Sequence, residues 1–115
     1  MKEFMLIFRF ADLGQTLRKP QTSPKQWQDW IGGIAAQNRL SATGKRLGTL
    51  GSVVKPNNTV TNGPYVEIKE TLGGYMFVKA ASLAEAVEMA KGCPLILSNE
   101  GSVEVRAVME TGDDG

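Results

Sequence analysis

Residues 62–80 read Asn62-Gly63-Pro64-Tyr65-Val66-Glu67-Ile68-Lys69-Glu70-Thr71-Leu72-Gly73-Gly74-Tyr75-Met76-Phe77-Val78-Lys79-Ala80. Asn62-Gly63 is a turn dipeptide, because both residues tolerate positive φ. Pro64 fixes its own φ and pushes Gly63 out of the right-handed helical region, so the chain leaves the turn extended. Tyr65, Glu67 and Lys69 then share one face, and Val66 and Ile68 the other. Glu67 and Lys69 read either as a solvated ion pair on an edge or as polar groups pointing into a cleft. Gly73-Gly74 allows a bulge or a close backbone approach at the start of the next strand. Tyr75-Met76-Phe77-Val78 is apolar on both faces, which places it at the centre of a sheet.

Working outward, Phe4-Met5-Leu6-Ile7-Phe8 is a second run of this kind. Phe4, Leu6 and Phe8 face one way; Met5 and Ile7 face the other. Two doubly apolar strands require cover on both faces of the sheet. Ser23-Pro24-Lys25-Gln26 predicts a helix start, with Ser23 as N-cap, Pro24 in the first turn and Gln26 closing a capping box. Trp27, Trp30, Ile31 and Ile34 follow at the spacing of one helix face, and the helix is expected to end near Leu40. Gly32-Gly33 interrupts it, which suggests close packing on a sheet. Trp27 reads as core or as one wall of a ligand cleft.

Leu47 to Val54 reads as the second strand, Pro56-Asn57-Asn58 as a turn, and Thr59-Val60-Thr61 as its hairpin partner. Ser82-Leu83-Ala84-Glu85 predicts a second capping box. Leu83, Ala86, Val87 and Ala90 form the apolar stripe, with Gly92 just past the end. Val103, Val105 and Ala107 alternate with Glu104 and Arg106 as a final strand. Residues 1–110 read as one domain, and 111–115 as an acidic tail expected to fray. The order β-α-β-β-α-β gives an α+β, ferredoxin-like antiparallel sheet with the helices on one face. The uncovered face points to an isologous homodimer, sheet to sheet. Its expected surface bears Met5, Ile7, Met76 and Val78, or their opposites.

Asn62-Gly63-Pro64-Tyr65, Glu67, Lys69-Glu70 and Gly73-Gly74, with Gly101 to Arg106 as closing strand, resemble the signature of the YCII-related, DGPF-type family. The resemblance covers about residues 45–109. It implies a dimeric α+β barrel and no particular reaction. Where the family pattern has Asp before Gly-Pro, this chain has Asn62, so a carboxylate is missing there. The broader superfamily is associated with a His–Asp centre, and this chain has no histidine.

Net charge is +1 over 13 basic and 12 acidic side chains, which does not suit a general nucleic-acid or membrane-surface binder. The basic residues concentrate in the first half and the acidic ones in the second. This reads as charge complementarity within the fold or across a dimer, or as an anion site on the first half. One cysteine, Cys93, excludes an internal disulfide, and without histidine neither a Cys/His zinc site nor a Cys–His nucleophile is available. Cys93, before Pro94, reads as a buried structural thiol. No cofactor is expected, and the expected compartment is the cytoplasm. Two functions are compatible with these features, a small-molecule site in a helix–sheet or dimer-seam cleft and a non-catalytic dimeric interaction module; the family resemblance adds a transcription-associated regulator, for which the chain has neither a helix-turn-helix pattern nor a basic stripe. The ligand-binding candidates are Tyr65, Glu67, Lys69, Glu70 and Trp27. Asn62, Gly63, Pro64, Gly73 and Gly74 form the shaping motif.

Overall fold

Strand β1 (Lys2–Ala11) lies at the middle of the sheet because it is apolar on both sides, and β6 (Glu70–Ala80) lies beside it for the same reason. The structure, a computed structural model, describes residues 1–11, 23–42, 44–48, 50, 52–62, 66–67 and 70–109. Strands β2 (Leu40–Ala42) and β7 (Gly101–Ala107) close the sheet in the order β2-β6-β1-β7, and the pairs are antiparallel. This is the ferredoxin-like α+β arrangement that the sequence suggests. A short strand β5 (Val66–Glu67) pairs with the start of β6, and a separate hairpin joins β3 (Ser52–Lys55) to β4 (Thr59–Asn62).

Phe4, Leu6 and Phe8 of β1, and Met76, Val78 and Ala80 of β6, form the buried face, under Ile34 of α1 (Pro24–Ala36) and Ala86 and Ala90 of α2 (Leu83–Lys91). Phe4 pairs with Val78 and Leu6 with Met76, so these side chains share the helix-covered face. Met5 pairs with Phe77 and Ile7 with Tyr75 on the other face. The grouping of Met5 and Ile7 with Met76 and Val78 is therefore corrected: the register couples them to Tyr75 and Phe77. Cys93 is fully buried beside α3 (Pro94–Leu97). Burial pushes its thiol up to about 11, against the weaker pull of backbone hydrogen bonds.

The first capping box forms as expected. The Gln26 N–H donates to Ser23 Oγ at 3.2 Å, and the Ser23 N–H donates to Gln26 Oε1 at 2.6 Å. The second is only half formed. The Glu85 N–H donates to Ser82 Oγ, but the Glu85 carboxylate turns to Arg39 and to the Ala81 N–H. An ion pair with a half-buried guanidinium outcompetes a neutral capping contact.

Helix α1 stops at Ala36, short of Leu40, because Asn38 adopts φ 58°. The Asn38 N–H reaches Ala35 O and the Arg39 N–H reaches Ile34 O, a Schellman ending with asparagine in the left-handed position. Asn99 (φ 60°) ends α3 by the same two-bond pattern. By contrast, Gly92 caps α2 with φ −84°, so its value there is not positive φ. The Trp30 indole lies against it, and Trp30 Nε1–H donates to Met89 O at 3.1 Å.

Leu47 to Val54 is not the second sheet strand. Leu40–Ala42 fills that position, and the 45–47 backbone continues along β6 through Leu47 N–H to Gly73 O and Tyr75 N–H to Lys45 O. Ser52–Lys55 pairs only with Thr59–Asn62, across the turn at Pro56–Asn58. Gly32 and Gly33 are exposed, and a Cβ on either would meet nothing within 4 Å. The expected sheet contact for that pair is thus absent, because they lie on the outer side of α1.

Candidate functional site

The glycine pair of β6 does both things the sequence allowed. Phe8 pairs with Gly74 and Arg9 with Leu72, so Gly73 is the extra residue of a bulge. A Cβ on Gly73 would run into the Phe10 ring, and one on Gly74 would stand 2.8 Å from Lys45 O. The close approach leaves a gap. Arg46 also pairs with Gly74, as an isolated antiparallel bridge. Residues directly opposite in a ladder project to the same face. Phe8, Gly74 and Arg46 therefore form one row on the helix-covered face, and its central member has no side chain.

The first turns of α1 close over that gap. Phe8, Phe10, Trp27 and Ile31 line it with apolar surface, Ser23 and Pro24 bring the helix start to its mouth, and Lys45 and Arg46 edge it. The cleft measures about 350 Å³. Its aromatic wall is preassembled: Phe8 and Trp27 meet edge to face at 5.2 Å, and Trp30 braces both at 6.0 and 5.9 Å. Gly44 is part of the same construction, because a Cβ there would overlap the Tyr75 carbonyl. Only a glycine lets the 44–46 segment lie this close to β6.

The charge of the cleft is one-sided. Lys45 and Arg46 are exposed and have no acidic partner among the described residues. No carboxylate lines the cleft among those residues, and the first turn of α1 carries no acid to offset its positive end. Two arginines of the first half do meet acids of the second. Arg9 meets Glu104 at 2.9 Å, and Arg39 pairs with Glu85. A shallower trough of about 310 Å³ runs between α2, α3 and β7, lined by Leu83, Val87, Ile96, Val103 and Val105, with Lys91 as its one charged group among the described residues. It lacks the converging polar groups of a specific site. Among the described residues, no group of three His, Cys, Asp or Glu could hold a metal. Among the same residues, no helix is long and apolar enough to cross a membrane.

Of the residues singled out in the sequence, Trp27, Gly73 and Gly74 line this cleft. Glu67 lies opposite Glu70 where β5 meets β6, so the extended segment expected over 65–70 is divided between two strands and the chain reverses before the glycine pair. Asn62 ends β4. Gly63, Pro64, Tyr65 and Lys69, the side chains of Asn62, Glu67 and Glu70, and the tail 111–115 lie outside what the structure describes. Sequence reasoning placed Ile31 on the core face of the helix rather than at a site, and passed over Phe10, Lys45 and Arg46. The signal available for the last two was a dibasic pair framed by Gly44 and Gly48, between the helix end expected near Leu40 and the strand read from Leu47.

Comparison with curated proteins finds no match. A family model, the YCII-related domain, matches residues 5–111, which extends the likeness seen around the glycine pair back through β1 and α1. The chain therefore belongs to the YCII-related domain family.

Proposed function

We propose that this domain binds a small organic molecule in the cleft between α1 and the bulge of β6. One observation carries the reading: the cross-strand row Phe8–Gly74–Arg46 is vacant at its centre and walled by Phe10, Trp27 and Ile31. A core at ordinary density closes such gaps with side chains. Here a side chain is withheld, and the strand is bulged to keep the space. The volume sits near the lower end of ligand pockets, roughly 300–1,000 Å³. The described lining offers apolar contact and cations, which suit binding better than proton transfer.

The test is a thermal-shift screen against metabolites, run on the natural chain and on Ile31→Trp, whose indole fills the cleft from α1. A ligand at a hundred times its Kd stabilises the native state by about 2.7 kcal/mol. We expect compounds that raise Tm in the natural chain and leave Ile31→Trp unmoved. Equal shifts in both proteins would place binding elsewhere and remove the proposal.

A second reading concerns the other sheet face. Met5, Ile7, Tyr75 and Phe77 form a half-exposed apolar block at the centre of that face, and the Tyr75 and Phe77 rings lie 6.0 Å apart. We propose that a second copy of the chain covers it, forming the isologous homodimer. Sedimentation at micromolar concentration is expected to give twice the mass of one chain. A species of one-chain mass would remove this reading. A cytoplasmic setting is proposed with it, on the ground that the single cysteine, Cys93, is a free thiol.

A further inference from the structure

We infer that the ligand of this cleft is an aromatic organic anion: a flat body of one or two rings carrying a single carboxylate or similar group, held by Arg46. The inference rests on the cleft being a binding site, and adds to it the class of molecule and the residue that selects it. Three features of the geometry converge. The walls are aromatic, with Phe8, Phe10 and Trp27 presenting ring surface to the same space, which suits a flat apolar body. The field at the mouth is positive from two independent sources. The start of α1 arrives there through Ser23 and Pro24, with no acidic residue in its first turn, and Arg46 lines the same space.

The third feature separates the two cations. Arg46 is opposite Gly74 in the ladder, and Gly74 is opposite Phe8, so Arg46 stands on the cleft side of the sheet. Lys45 meets the cleft through its backbone, whose O lies beside Gly74 and accepts from Tyr75 N–H, while alternation sends its side chain the other way. The backbone is pinned on both sides of Arg46, by Tyr75 N–H to Lys45 O at 3.2 Å and by Leu47 N–H to Gly73 O at 2.8 Å. The guanidinium is therefore mounted on a fixed rim beside the vacant position. It has no carboxylate partner among the described residues, whereas Arg9, Arg39 and Arg106 each have one. An arginine so placed offers two parallel N–H donors to a carboxylate.

The experiment uses 2-naphthoate and its neutral counterpart 2-naphthamide, which share one body and differ in charge. Both are titrated calorimetrically into the full chain, the Ile31→Trp variant, Arg46→Met and Lys45→Met. We expect naphthoate to bind the natural chain at least about tenfold more tightly than naphthamide, as a charge-assisted contact gives. Arg46→Met should erase that ratio while naphthamide binding stays. Lys45→Met should keep most of it, and Ile31→Trp should abolish both ligands. Raising the salt concentration should narrow the ratio by screening. Arg46 is exposed, so its replacement should leave folding intact; Arg46→Gln serves as a second variant of the same charge change. Equal binding of the two probes, lost together in Ile31→Trp, would overturn the anion inference and leave the cleft as a binding site. A ratio that survives Arg46→Met and Arg46→Gln would also overturn it. Absence of binding by either probe at millimolar concentration would overturn both readings.

Discussion

The chain contains two Gly-Gly pairs, and they do opposite things. Gly32-Gly33 lies on the outer side of α1, where a Cβ on either residue would meet open space. Gly73-Gly74 lies in β6, where a Cβ would strike the Phe10 ring at one position and approach Lys45 O at the other. The first pair weakens a helix with no packing return. The second makes a bulge, lets the 44–46 segment dock and leaves the cleft open. The same dipeptide is thus dispensable in one region and structural in the other, and only the tertiary surroundings decide which.

The sharpest way to break this comparison is to add side chains at the packed positions. Gly44→Ala places a Cβ on the Tyr75 carbonyl, and Gly74→Ala crowds Lys45 O. Both neighbours are backbone atoms inside a hydrogen-bonded edge, so relief requires the edge to move. We expect each change to destabilise the fold by about 1–3 kcal/mol, with Gly44→Ala the larger. Urea midpoints unchanged in both would show that the 44–47 edge does not hold β6 as tightly as the contacts require.

What the sequence makes visible here follows from the range of each interaction. The start of α1 is legible because Ser23, Pro24 and Gln26 settle it among themselves. The central strands are legible because both faces of Phe4–Phe8 and Tyr75–Val78 are apolar. The second sheet strand is not, because Val53-Val54 has the stronger strand character while the pairing partner of β6 is Leu40–Ala42. That choice is made by where α1 ends, and α1 ends at an asparagine rather than a glycine. The cleft is half legible. Gly73-Gly74 signals a close approach, but the role of Arg46 depends on its register against Gly74, which no local pattern encodes.

The next expected effects are at the helix starts. Ser23→Ala and Ser82→Ala should each cost about 0.5–2 kcal/mol through loss of the N-cap. In each case alanine removes one bond, Gln26 N–H to Ser23 Oγ or Glu85 N–H to Ser82 Oγ, while the Ser23 N–H to Gln26 Oε1 bond uses the backbone and survives. The two changes should therefore cost similar amounts, in denaturant melts of otherwise identical chains. Ser23 also sits at the cleft, so a shift there tests whether the site rests on a well-anchored helix. Unchanged midpoints would count against both helix starts.

The open glycine pair gives an effect of opposite sign. Gly32→Ala and Gly33→Ala remove backbone freedom from the unfolded chain and meet nothing in the folded one. Each should stabilise the protein by about 0.5–1 kcal/mol. A loss of stability at either position would mean that the outer side of α1 is covered, by a partner or by a second copy. The comparison between the two pairs would then fail on its simpler side.

The smallest effect tests whether charge divides the molecule as the glycines do. On the cleft side Arg46 lacks an acidic partner among the described residues; between β1 and β7, Glu104 is held by two arginines. Hydrogen bonds from Arg9 first and Arg106 second hold the Glu104 carboxyl below its ordinary range. A depressed carboxylate stabilises the native state only while it is ionised. Its contribution is complete above the ordinary Glu value of about 4.3 and disappears as the pH falls through the lower folded value. Because the group is about one-third exposed, the pair is worth roughly 0.2–1 kcal/mol at neutral pH. The difference in stability between the natural chain and Glu104→Gln should thus be positive at pH 7 and shrink toward pH 3. Other carboxylates titrate alike in both chains and cancel from that difference. A difference that stays constant with pH would mean that Glu104 acts through packing rather than charge. Salt should reduce it at pH 7, as it should reduce the selectivity of Arg46 for an anion, since both are screened in the same way.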